Sequence, residues 1–261
     1  MLERNDYSRL LIDVEAGVGT VTLNRPDHGN AVDDAMHSEL TRVFDAARRD
    51  ERVRVVVLTG AGDTFCRGGD SGPDRTFTTH TGLTPIQEAR LIIESLLDLD
   101  KPVIAAVNGD ALGLGAILAT LADVAFVVHS AHLGDRHVPG GVTAGNGSAA
   151  LWPAIIGVNR TKYLLFEGAL LTAAEAVDLG LAHEAVDEAL PAALALAARW
   201  SARPPFALRS TKSVINLHLK EAAARALAPG LALEEQALAG PEFARRRSTE
   251  GTPTCSTSPA R

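Results

Sequence analysis

Between residues 53 and 128 the chain alternates short β-branched runs with helical periods, and this pattern narrows the fold most. Val53–Leu58 reads VRVVVL, Val103–Val107 reads VIAAV and Val124–Val128 reads VAFVV. Between them lie an amphipathic stretch, Pro85–Leu99, and a shorter apolar one, Leu112–Leu121. Apolar strands that alternate with helices are buried on both faces, and the helical crossovers make neighbouring strands parallel. The sequence therefore predicts an α/β core.

The flanks fit around it. Arg9–Val14 and Val18–Leu23, separated by Glu15-Ala16-Gly17, read as a hairpin. Met36, Leu40, Val43, Phe44 and Ala47 then fall at helical spacing, with Asp33 or Asp34 available as the cap. Gly60–Thr84 and His129–Gly147 are glycine-rich and irregular. Beyond Ser148 nearly everything reads helical, with turns at Gly157, Gly168 and Gly180 and helices over Leu190–Ser201, Phe206–Ala228 and Leu231–Leu238. The expected organisation is a core over residues 1–190, a helical layer over 191–243 and a disordered tail over 244–261, whose end from Ser248 reads STEGTPTCSTSPAR.

Composition excludes several classes. With 25 basic and 32 acidic residues the net charge is −7, which disfavours nucleic acid as a partner. Two cysteines, Cys66 and Cys255, cannot staple a scaffold or supply a four-cysteine zinc site, and they fit a reducing cytoplasm. The start, MLERNDYS, has no apolar signal core. Ala111–Val128 is long and apolar but is broken by Gly113, Gly115 and Asp123, so a helix followed by a strand is expected rather than a membrane span. No histidine pair has spacing suited to a metal, and none is expected.

Two glycine-rich turns follow buried strands: FCRGGD (Phe65–Asp70) and NGDALGLG (Asn108–Gly115). Glycine permits tight turns, which is reason enough for its presence. Amides at a helix start, however, have no intrahelical partner and carry the positive end of the dipole. Two such turns face to face would aim two N–H groups at one oxygen and form an oxyanion hole. A dinucleotide fingerprint fails, because its third glycine is replaced by Leu118 and no acidic residue ends the next strand.

Several blocks in order resemble the crotonase, or enoyl-CoA hydratase/isomerase, superfamily: LNRPDHGNAV (Leu23–Val32), VLTGAGDTFCRGGD (Val57–Asp70), PVIAAVNGDALGLGA (Pro102–Ala116), Ile155–Val186 and Arg203–Asn216. The resemblance implies a spiral of ββα units followed by a helical trimerisation layer, hence a homotrimer or a dimer of trimers. It implies no required cofactor, with a CoA thioester as a possible substrate. It also implies a carbonyl held by the amides of Gly69 and Leu114. The two glutamates of the family's hydratases are replaced by Ile117 and His137.

The loop Leu133–Arg160 resembles the 6-oxocamphor hydrolase-like β-diketone hydrolases. That likeness implies a hydrolytic C–C (retro-Claisen) cleavage of a small carbonyl substrate, with His137 activating water. Asn146 stands where that branch has its aspartate, while His37 and Glu234 match further polar pocket positions. Arg25, in LNRP, matches a position near the nucleotide end of CoA in CoA-using members, and with Arg245-Arg246-Arg247 it points instead to a thioester. The alternatives are therefore a CoA-dependent hydratase or isomerase, and a non-catalytic acyl-binding protein. Phe77 and His80, in the loop Gly72–Thr84, are expected to shape the pocket.

Overall fold

A computed structural model describes residues 1–70 and 78–249, with the side chains of 246–249 left out of the description. Phe77 and the tail from residue 250 lie outside the described residues, as do the side chains of Arg246 and Arg247.

β1 (Leu10–Glu15) and β2 (Val18–Leu23) form the expected hairpin. Ala16 and Gly17 take φ of 49° and 85°, the left-handed pair that a two-residue turn between twisted strands requires. α1 (Asp34–Arg49) is capped by the Asp33 side chain, which accepts from the Met36 amide, and buries Met36, Leu40, Val43, Phe44 and Ala47. β3 (Val55–Gly60) follows, then α2 (Pro85–Asp98), which opens on a capping box between Thr84 and Gln87. Next come β4 (Val103–Val107), β5 (Ala111–Leu112), α3 (Leu114–Thr120), β6 (Val124–Val128) and β7 (His132–Gly134).

The long apolar run Ala111–Val128 holds the expected helix and strand, α3 and β6, preceded by β5, and among the described residues no helix is long and apolar enough to cross a membrane. α4 (Ser148–Ile156), α5 (Val158–Glu167), β8 (Leu170–Thr172), α6 (Ala173–Leu179) and β9 (Glu184–Val186) lead into α7 (Ala189–Ser201). The chain continues through α8 (Pro205–Ile215), α9 (Leu217–Leu238) and α10 (Pro241–Thr249).

The main sheet runs β1-β2-β3-β4-β6-β9, parallel from β2 onward. A second sheet, β5-β7-β8, stands beside it. Because β3 and β4 are adjacent and parallel, the two glycine-rich turns leave the same edge, where open α/β sheets place their ligands.

Four expectations need correction. The region past Ser148 is not wholly helical: β8 and β9 are strands of three residues, too short to show a period. α9 runs unbroken through Pro229. Residues 244–249 belong to α10, which starts at Pro241 with Glu242 in its first turn, both favourable at a helix start. The boundary expected at residue 190 falls inside α7, whose Ala189, Ala193, Leu196 and Ala197 pack on Val55, Val57, Ile104 and Phe126 of the sheet.

Candidate active site

The first turn returns from β3 in extended form. Cys66 bridges to Ala111, and Gly69 bridges to Val32. In the second bridge Gly68 O accepts from Val32 N at 2.8 Å, and Asp70 N donates to Val32 O at 2.9 Å. Carbonyls and amides alternate sides along a strand, so the Gly69 N–H faces away from Val32. The second turn ends at Gly113 (φ 51°), and Leu114, the first residue of α3, presents an N–H that has no partner within the helix.

The turns are packed together. A Cβ at Gly113 would lie 3.6 Å from Gly68 Cα and 3.6 Å from His137 Cε1. One at Gly115 would meet Cys66 O at 2.3 Å, so only glycine allows this approach. Burial pushes the enclosed Cys66 thiol up to about 12, which leaves it inert. Gly113, next to Leu114, thus stands beside the His137 ring, and Gly68, next to Gly69, packs against Gly113.

His137 begins the loop after β7, and the loop folds back on it: Val142 N donates to His137 O at 2.8 Å. Its Nδ1 pairs with Asp135 Oδ1, which also accepts the His137 backbone N–H at 2.9 Å. The other oxygen of Asp135 accepts from the Ser148 hydroxyl at the start of α4. On the far side of the ring, Nε2 lies 3.2 Å from Asn146 Nδ2 and 3.9 Å from Glu234 Oε1. Glu234, on α9, is buried. It reaches the site because Gly145 packs against Gly230, where a Cβ on Gly145 would fall 2.1 Å from the Gly230 carbonyl oxygen.

Burial alone would lower the His137 pKa. The Asp135 charge and hydrogen bond, with Glu234 behind the ring, outweigh it and push the imidazole up to about 9. Burial would raise Asp135, but the charged ring and three hydrogen bonds hold its carboxyl below the ordinary value. Asp135 and His137 are therefore an ion pair at neutral pH.

Of the residues the sequence pointed to, the structure gathers His137, Asn146 and Glu234, with Gly113 and Gly68, the neighbours of Leu114 and Gly69, packed alongside. The expected pairing needs one correction: the carboxylate that orients the ring is Asp135, on Nδ1, while Asn146 meets Nε2. Sequence reasoning missed Asp135 and Ser148. The available signal was Asp-x-His on a loop leaving a strand, a spacing at which a carboxylate can fold back onto Nδ1.

Ile117, fully buried, packs on Gly147. His37 is not with this group. It is buried on α1 with Nδ1 2.6 Å from Glu88 Oε2, and Glu88 also accepts from Ser38 and Thr81. His80 donates its amide to Ser38 Oγ at 3.0 Å. Arg25 uses its guanidinium within the fold, on Ala31 O, on Asp70 at 3.0 Å and on Asp33 at 3.2 Å. It braces the Gly69 strand. Among the described residues no group of three His, Cys, Asp or Glu side chains could hold a metal.

Residues 13–249 match the enoyl-CoA hydratase/isomerase family. The chain belongs to this crotonase family. It is 34% identical to 1,2-epoxyphenylacetyl-CoA isomerase of Escherichia coli over 213 residues, covering 79% of this chain and 81% of that one. It is 31% identical to the short-chain-enoyl-CoA hydratase of Clostridium acetobutylicum, over 81% of this chain and 82% of the other. A crystal structure of an enoyl-CoA hydratase/isomerase from Mycobacterium paratuberculosis superposes with a TM-score of 0.90 at 33% identity, covering 94% of this chain and 100% of that one. The α/β architecture expected from the sequence is thus the crotonase fold, with its long C-terminal helix, α9, supplying Glu234.

Proposed function

We propose that this crotonase acts on acyl-CoA thioesters, drawing the carbonyl oxygen onto the Gly69 and Leu114 amides and shifting protons at the adjoining carbon, as an isomerase does. The observation that carries this reading is the packing of the two glycine turns on each other, with Gly113 against a histidine held as imidazolium and a buried carboxylate 3.9 Å beyond it. The Glu234 carboxylate takes the α-proton, and the C–H electron pair moves onto the carbonyl oxygen as an enolate that the two amides stabilise. A proton returned to carbon from the His137–Glu234 side completes the shift. One amide of such a hole contributes about 10²–10³ in rate and a positioned proton carrier about 10²–10⁴.

Two further observations support an isomerase over a hydratase. Ile117 occupies the position of one hydratase glutamate and is buried against Gly147, so it holds no water. The E. coli relative is itself named as an isomerase of a CoA thioester. Hydrolytic cleavage of a β-diketone has the Asp135–His137 pair in its favour, but it needs a neutral ring to take a proton from water. A group titrating near 9 is neutral in only about 1% of molecules at pH 7. A purely acyl-binding role is disfavoured by the His137 side chain, which keeps 19% of its surface open. The assembly we propose is a homotrimer.

The test incubates the protein with butyryl-CoA in D2O and follows mass gain at the α-carbon, with crotonyl-CoA as a parallel probe. Deuterium uptake that is lost in Glu234→Gln is the expected result. Conversion of crotonyl-CoA to its hydroxyacyl product would replace the isomerase reading with hydration. Absence of both uptake and calorimetric CoA binding would overturn the thioester reading.

A further inference from the structure

We infer that Asp135, clamped by Ser148, is a positioning residue that fixes the His137 ring and keeps it charged, so that His137 serves the site as a donor and Glu234 as the acceptor. This deepens the reading above and rests on it for its chemical meaning, though not for its test.

The geometry is specific. The Asp135 side chain is fully buried, and three donors converge on it: the Ser148 hydroxyl, the His137 amide and His137 Nδ1. A buried carboxylate held this way is stable only while its cation stays, because removing one member of a buried pair leaves the other uncompensated. With Nδ1 committed to Asp135, Nε2 is the only ring position left to face Asn146 and Glu234. The amide of Asn146 suits the charged ring, since turning it by about 180° sets Oδ1, otherwise without a partner, against an Nε2–H.

Among the described residues the charges facing the ring are Asp135 from its own loop and Glu234 from α9. α3 (LGAILAT) and α4 (SAALWPAII) carry no titratable side chain. The ring's charge therefore depends on these two carboxylates. Asp135 is the one in hydrogen-bond contact.

A purely structural role for Asp135, holding the turn through the His137 amide, would also make its loss harmful. The deciding readout is therefore the ring itself. The Cε1–H resonance of His137, assigned by its disappearance in His137→Gln, is titrated by NMR in the wild type, Asp135→Asn and Ser148→Ala. Asparagine keeps the size and the hydrogen-bond acceptor but removes the charge.

The expected result is a midpoint near 9 in the wild type that falls to 6.5 or below in Asp135→Asn. Ser148→Ala should move it the same way by less. At pH 8 the charged fraction then drops from about nine-tenths to about 3%, and α-proton exchange should fall about thirtyfold. A folded Asp135→Asn protein with an unmoved midpoint overturns the inference. If that variant does not fold, an unmoved midpoint in Ser148→Ala overturns it. Failure of the thioester reading would show in the deuterium experiment alone and leave this titration unchanged.

Discussion

His137 ties the stability of the chain to pH as well as its chemistry. Its folded pKa of about 9 lies above the ordinary 6.5, so folding strengthens proton binding. The stabilisation is complete below 6.5 and is lost as pH rises through 9. It amounts to about 3 kcal/mol, shared with Asp135 as one pair. Thermal unfolding of the wild type should therefore show a midpoint that falls between pH 7 and pH 10, while His137→Gln should be flatter over that range. Equal slopes would contradict the raised pKa. At this scale the sequence pointed to residues whose proposed role depends on their own backbone or loop, Gly69, Leu114 and His137, and it named Asn146 for the ring orientation that falls to Asp135. It was not legible for Arg25 and His37, whose partners Asp70 and Glu88 lie 45 and 51 residues away. No local pattern reveals such pairs.

Among elements, the contact that completes the site is that of the loop before α4 with α9. Gly145 lies so close to Gly230 that Gly145→Ala must push loop and helix apart, with Glu234 Cβ only 3.0 Å from the added atom. We expect that variant to keep its far-ultraviolet spectrum and lose α-proton exchange about a hundredfold or more, on the scale of misplacing one proton carrier. Retained exchange would mean that α9 does not set the position of Glu234. The long strands and helices were legible from periodicity and caps, and β4 and β6 carry the very limits read from the sequence. β5, β7, β8 and β9, at two or three residues each, were not, since they exist only through their pairing with distant strands. The break expected near Pro229 does not occur because Ala223, Leu227, Leu231 and Glu234 form one buried stripe on both sides of it. Tertiary packing there outweighs the proline cost of about 3 kcal/mol.

For the whole molecule, α8 and the start of α9 leave Phe206, Val214, Ile215 and Leu217 exposed, from 59% to 84% of their surfaces. We take these exposed apolar side chains as the surface that meets other copies in the proposed trimer. Light scattering should give three times the chain mass, and Phe206→Glu with Ile215→Glu should lower it. A monomeric wild type would contradict the trimer.

The course of the chain through the site also sets an order of assembly. The amides at Gly69 and Leu114 and the ring of His137 belong to the first 140 residues, whereas Glu234 arrives with the last long helix. On the ribosome the residues of the proposed oxyanion hole are therefore made before Glu234, the proposed proton acceptor. A chain cut short before α9 would lack Glu234 and the packing of α9 on α2 and α4. On the proposed mechanism, proton transfer therefore waits until the last long helix has been made and has docked.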